Sequence, residues 1–82
     1  MTTTSQTIDL EFPVKIAGAT VQVLSMRRST VGDVLTANRI KDEIEREIVL
    51  FANLCQVTPE DIRNLDLKDY QKLQEVFRSF TG

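Results

Sequence analysis

The sequence predicts an α+β domain in which an N-terminal β-hairpin packs against three or four α-helices. Apolar residues occupy every second position near the start, which is typical of a β-strand, and they recur at three- or four-residue spacing in the second half, which is typical of helices. The 82 residues leave room for one small hydrophobic core. We therefore expect one domain over residues 8–82, preceded by a disordered polar tail over residues 1–7.

The predicted hairpin spans residues 8–26. Its first strand places five apolar side chains on one face: Ile8, Leu10, Phe12, Val14 and Ile16. Pro13 has no N–H group, so this strand is expected to lie at an edge or to be broken there. Residues 17–19, with Gly18 at the centre, predict the turn. Because a two-stranded hairpin is not stable alone, helices must cover its apolar face.

Helices are predicted over residues 31–39, 41–55, 59–64 and 67–80, and the first either runs straight into the second or is separated from it by a break near Asn38. Thr30 with Asp33, and Thr58 with Pro59 and Asp61, are typical of helix starts. The helix over residues 41–55 is expected to be the central element. The predicted core consists of Leu10, Phe12, Val23, Leu35, Ile44, Ile48, Phe51, Ile62, Leu65, Leu73 and Phe77.

Composition argues against an enzyme. The chain has no His and a single cysteine, Cys55, which excludes a His-based general base and predicts no zinc site or internal disulfide. It has no glycine-rich phosphate loop and no nucleophile paired with a base. We therefore expect no catalytic residue, no cofactor and no bound metal, and we interpret Cys55 as a core residue.

Charged residues have structural interpretations as well. Arg27 and Arg28 would suit a phosphate contact, but the net charge of −2 favours pairing or capping and predicts no nucleic-acid partner. Asp61, Asp66 and Asp69 match helix N-termini better than a calcium loop. The longest apolar run has five residues, so no membrane partner is expected, and the polar start predicts no secretory signal.

The central helix suggests a partner surface. Its apolar arc widens toward its end, where Leu50 and Leu54 lie to one side of the stripe formed by Ile44, Ile48, Phe51 and Cys55. Either the hairpin and the last helix cover this arc, or part of it stays open for a partner. The candidate partner-binding residues are Leu50, Leu54, Tyr70, Phe77 and Phe80.

The order and spacing of these features resemble those of a known family. The front half reads Leu10-x-x-Pro13-Val14, Gly18 and Leu24-x-x-Arg27-x-x-Thr30-x-x-Asp33. The back half reads Leu50-x-Ala52-x-Leu54, Pro59-Glu60-Asp61-Ile62-x-x-Leu65 and Asp69-Tyr70-x-x-Leu73-x-x-x-Phe77. Over residues 8–80 the chain resembles the small tail assembly chaperones of contractile-tailed, Mu-like bacteriophages.

This resemblance implies a non-enzymatic protein of a phage or prophage that acts in the host bacterial cytoplasm and is absent from the mature virion. It implies the tape measure protein as the partner, with the tail tube protein as a second one. The hairpin edge adds a route to self-association. Three alternatives stay open: a protein-binding adaptor, a structural tail component, and a nucleic-acid-binding regulator that uses Arg27, Arg28, Arg39 and Lys41.

Overall fold

The computed structural model describes residues 5–81 of the chain. This part forms an antiparallel hairpin followed by four helices, which confirms the predicted α+β fold. The elements are β1 (Gln6–Ile16), β2 (Ala19–Met26), α1 (Val31–Ala37), α2 (Glu43–Cys55), α3 (Pro59–Arg63) and α4 (Leu67–Thr81). Of the predicted tail, residues 1–4 lie outside the described residues, and Gln6 and Thr7 are the first residues of β1.

The hairpin turns at the predicted position. Ala17 and Gly18 both have positive φ, at 52° and 83°, which is typical of the type I′ turns that join twisted strands. Farther from the turn the pairing slips: Asp9 faces Val23, whereas Val14 faces Val21. Residues 10–13 therefore stand opposite Gln22 alone and form a bulge. β1 continues through Pro13 without a break, but the pairing is irregular there, as expected of a residue that has no N–H group to donate.

Two residues predicted in the core, Phe12 and Val23, are exposed. Phe12 is 49% exposed, because the bulge interrupts the alternation that buries Ile8 and Leu10. Val23 is also 49% exposed, because β2 buries the residues of the opposite parity, Leu24 and Met26.

Local capping signals fix where the helices begin. Thr30 caps α1 and Thr58 caps α3, and each forms a capping box with the acid three residues later. α2 begins at Glu43, two residues later than predicted, because Asp42 caps it through the Glu45 N–H. α1 ends at Ala37, two residues earlier than predicted.

The core lies between the hairpin and helices α2, α3 and α4. Phe51 is fully buried, with the rings of Tyr70 and Phe77 at centroid distances of 5.7 and 5.6 Å. Six predicted core residues are confirmed as buried: Leu10, Ile48, Phe51, Ile62, Leu65 and Leu73. Phe77 is half-buried and packs against this core.

Two further core predictions were wrong. Leu35 is 63% exposed, because the short helix α1 packs against α2 and buries only Ala37. Ile44 is 67% exposed, because the first turn of α2 stands at the rim of an open apolar depression. The sequence prediction also left out Ile8, Leu24, Met26, Ala37, Ala52 and Leu54, all of which are buried.

Candidate partner-binding surface

Two apolar depressions open on different faces of α2. The first, called here the Ile44 groove, has a volume of about 210 Å³ and is lined by Ile44, Ile48, Ile62, Arg63, Leu65, Leu67 and Tyr70. The second, called here the Leu50 groove, has a volume of about 220 Å³ and is lined by Val34, Ala37, Asn38, Glu43, Arg46, Glu47, Leu50, Phe51 and Phe77. Ligand- or partner-binding sites are typically concave and mostly apolar, as both depressions are.

The Ile44 groove has a buried floor and a solvent-exposed apolar rim. Ile62 and Leu65 form part of the floor, whereas Ile44 and Leu67 are 67% and 68% exposed at the rim. Its charged lining residue is Arg63, which pairs with Glu45 at 2.8 Å and with Glu60 at 3.3 Å. The groove therefore offers apolar contact with its charge already satisfied.

The Leu50 groove combines an aromatic floor with an acidic rim. Phe51 is buried at its base, while Leu50 and Phe77 are half-buried beside it. α1 supplies the opposite wall through Val34, which is 41% exposed. Glu43 and Glu47 contribute carboxylates from α2.

Glu47 is held between the two grooves by side chains of α4. Its Oε1 atom accepts hydrogen bonds from the Tyr70 hydroxyl and from Gln74 Nε2, the latter at 2.8 Å. Burial, together with this bond to a carboxylate, raises the pKa of Tyr70, so the hydroxyl stays protonated as a donor. The two bonds fix the position of the Glu47 carboxylate.

The five candidate partner-binding residues lie in different parts of the structure. Leu50 and Phe77 meet in the Leu50 groove, and Tyr70 lines the Ile44 groove. Phe80 is half-buried, with the Arg28 guanidinium 5.4 Å from its ring centroid. Leu54 is 1% exposed in the core, so its role as a partner contact stays a prediction that would require the core to open.

Sequence reasoning missed the groove rims. Ile44 was expected in the core and Leu67 was not singled out, yet both line the Ile44 groove with most of their surface exposed. Helix α1 carries three more exposed apolar side chains: Val31, Val34 and Leu35. The available signal was the weakness of α1, because a seven-residue helix can cover little of its neighbour.

Asp69 has a larger role than that of a helix N-terminal acid. Its side chain is fully buried and accepts the backbone N–H groups of Glu11 at 2.8 Å and Phe12 at 3.0 Å. Burial opposes ionisation of Asp69, but these two donors and Lys72 together outweigh it and lower its pKa. Asp69 thus accepts hydrogen bonds from two N–H groups of β1 that lie in the bulge, where the regular pairing with β2 is interrupted.

The arginine pair also has structural partners. Arg27 donates two hydrogen bonds to the Asp33 carboxylate, at 2.7 and 3.0 Å, and this pairing holds the pKa of Asp33 well below its usual range. Arg28 donates to the carbonyl oxygen of Phe80 at 3.0 Å. The interpretation of these arginines as pairing or capping residues is therefore confirmed.

The remaining chemistry of the described residues is sparse. Cys55 is buried in the core as predicted, and burial raises its pKa to about 11. Within residues 5–81 no three His, Cys, Asp or Glu side chains are grouped so that they could hold a metal ion. None of the helices described has the length and apolar character needed to cross a membrane.

Comparison with known proteins identifies the family. A family model described as "Phage tail assembly chaperone proteins, E, or 41 or 14" matches residues 7–82. No curated protein and no solved structure matches the chain. The match includes all of the hairpin except Gln6 and all four helices, and it confirms the resemblance at the level of the family. The chain therefore belongs to the phage tail assembly chaperones.

Proposed function

We propose that this chain binds the tape measure protein of a Mu-like phage in the host cytoplasm and keeps it available while tail tube subunits assemble around it. The observation that carries the proposal is the pair of open apolar grooves on α2, in a chain that belongs to the tail assembly chaperones. Exposed apolar patches that border a pocket are typical of interaction sites.

The two grooves suit a helical partner. Recognition of a helix in a groove uses apolar anchors spaced at three, four and seven residues, which insert between the helices of the receptor. The Ile44 groove can receive such anchors between the rim residues Ile44 and Leu67, and the Leu50 groove can receive them between Val34 and Phe77. Each groove is small, so we expect weak single contacts that gain strength when many copies bind one long partner.

The proposal is tested by co-expressing the tagged chain with the tape measure gene of the same phage. We expect the tape measure protein to co-purify with the unmodified chain. Leu67→Asp should weaken this association at least several-fold, because a charge at the rim of the Ile44 groove must be desolvated on binding. Leu50→Asp should do the same in the other groove. Val31→Asp is the matched control, because Val31 is 78% exposed and lines neither groove.

Circular dichroism of each purified variant shows whether it remains folded. If folded Leu50→Asp and Leu67→Asp both retain the tape measure protein as Val31→Asp does, the grooves are not the binding surface. If the tape measure protein does not co-purify even with the unmodified chain, the proposed partner is wrong. Detection of the chain in purified virions by mass spectrometry would favour a structural tail component instead.

A further inference from the structure

The Leu50 groove carries more negative than positive charge, with two carboxylates, Glu43 and Glu47, against one guanidinium, Arg46. Glu43 and Glu47 both line this groove, and neither forms an ion pair with another side chain in the part of the chain that the structure describes. Arg46, the basic residue of the lining, donates from Nε to the carbonyl oxygen of Ile40 and from Nη2 to that of Lys41. Its guanidinium is therefore engaged with the segment between α1 and α2.

The two carboxylates are placed to act together. Glu43 and Glu47 are four residues apart on α2, so their side chains project from the same face one turn apart. Tyr70 and Gln74 hold Oε1 of Glu47, whereas Oε2 accepts no hydrogen bond within residues 5–81. A carboxylate already fixed in position loses less side-chain freedom when it meets a cation.

The Ile44 groove provides a contrast within the same molecule. Arg63, the charged residue of its lining, is paired with Glu45 and Glu60. A partner that enters the Ile44 groove would meet carboxylates already paired with Arg63, whereas a partner that enters the Leu50 groove would meet two carboxylates that form no ion pair within residues 5–81. The grooves therefore differ in the partner chemistry that they favour.

We propose that the Leu50 groove receives an amphipathic helix whose apolar stripe is flanked by Lys or Arg. The apolar side chains of this helix contact Leu50, Phe51 and Phe77, and its basic side chain pairs with Glu43 and Glu47. This inference rests on the proposed function insofar as it takes the helix from the tape measure protein. Charge complementarity of this kind selects the correct segment and its orientation more than it adds affinity.

The probes for the test are overlapping 20-residue peptides that span the tape measure protein of the same phage. Binding to the full chain is measured by fluorescence anisotropy at low and at physiological salt. We expect the peptides that bind in the Leu50 groove to carry Lys or Arg beside the apolar stripe and to weaken at higher salt. Glu43→Lys should raise their dissociation constant roughly three- to tenfold, which is the scale of one or two exposed charge pairs.

Glu75→Lys is the matched control. It makes the same change in net charge at an exposed residue of α4 that lines neither groove, so it should shift the dissociation constant less than twofold. Glu43→Gln removes the charge without reversing it and should have a smaller effect than Glu43→Lys. Urea midpoints of all variants show whether a loss of binding reflects a loss of folding.

The outcomes separate this inference from the proposed function. If the tape measure protein co-purifies but Glu43→Lys binds its peptides as well as Glu75→Lys does, the basic-helix proposal is wrong and the proposed function stands. If no peptide binds and the tape measure protein does not co-purify, both are wrong. If Glu43→Lys leaves peptide binding unchanged but alters the mass of the assembly that the chain forms in sedimentation, a second copy of the chain occupies the groove and the proposal is overturned.

Discussion

At the scale of single residues, Asp69 joins two parts of the fold that are distant in sequence. Its carboxylate receives N–H groups from Glu11 and Phe12, which lie 58 and 57 residues earlier. Because β1 bulges there, β2 presents only Gln22 opposite residues 10–13. Without Asp69, these two donors would lose their partner at a position where α4 packs against β1.

Replacing Asp69 is therefore expected to destabilise the domain. Asp69→Ala should lower the free energy of unfolding by about 2–4 kcal/mol, because it leaves two donors without an acceptor. Asp69→Asn should cost less, since the amide oxygen still accepts one hydrogen bond. Asp9→Ala, at an exposed side chain of the same strand, should stay within about 0.5 kcal/mol. Urea unfolding measures all three, and similar midpoints for Asp69→Ala and Asp9→Ala would contradict this role.

At the scale of elements, the boundaries follow from local chemistry. Thr30, Asp42 and Thr58 each cap a helix with a side-chain oxygen, and Thr58 stands before Pro59 at the first helical position. The end of α2 differs, because Gln56 adopts a left-handed conformation with φ 58° and ψ 43°. Glycine usually occupies this position, since a side chain is strained there.

This strain predicts a stabilising substitution. Gln56→Gly should raise the free energy of unfolding by about 0.5–1 kcal/mol, because glycine adopts positive φ without the side-chain penalty. The control is Gln71→Gly, in which an exposed residue within α4 is replaced and the domain should lose about 0.5–1 kcal/mol. Thermal unfolding of the two variants should thus shift in opposite directions. A lower midpoint for Gln56→Gly would refute the assignment of strain.

Sequence reasoning succeeded where the signal was local. The caps at Thr30 and Thr58 and the turn at Gly18 depend on neighbouring residues, and the structure confirms them. Of the predicted stripe on α2, Ile48, Phe51 and Cys55 are buried, whereas Ile44 is exposed. Phe12 and Val23 were misplaced because the pairing register depends on contacts between strands. The partner of Asp69 lies 57 residues away, and no local pattern shows it.

The same difference between local patterns and distant contacts explains which candidate partner-binding residues could be predicted from the sequence. Leu50 and Phe77 were selected from helical periodicity, and the structure places them in one groove. Ile44 was predicted in the core and is 67% exposed, whereas Leu54, selected as a partner contact, is buried. The helical wheel shows which faces of α2 are apolar, but not which face the hairpin, α1 or α4 covers. That choice depends on the lengths of the covering elements, and α1 is too short to bury Leu35.

At the scale of the whole molecule, two ionised carboxylates, those of Asp33 and Asp69, stabilise the folded domain. Asp33 pairs with Arg27 just after β2, and Asp69 holds the bulge in β1. Both have a pKa lowered below the usual 3.8: Asp33 chiefly by its hydrogen bonds from Arg27, and Asp69 by donors that outweigh its burial. A folded-state pKa below the unfolded one means that folding is favoured when the group is ionised.

The stability of the domain should therefore depend on pH in one direction. The contribution of Asp33 and Asp69 is complete above the unfolded pKa of about 4 and is lost as the pH falls through the lower folded-state values. We expect the urea midpoint to fall between pH 5 and pH 3. The urea midpoint of the double variant Asp33→Asn/Asp69→Asn should be lower than that of the unmodified chain at pH 5 and should fall less between pH 5 and pH 3. An equally steep fall in the double variant would assign the acid sensitivity to other carboxylates.

The contact between Asp69 and β1 also has a consequence for synthesis of the chain on the ribosome. The hairpin is made first, but the carboxylate that secures its bulge is made 57 residues after Phe12. Until then β1 and β2 have neither that acceptor nor the cover of α4. A hairpin of two strands does not persist alone, so the domain should acquire stable structure only after α4 has been made, and in a single cooperative step.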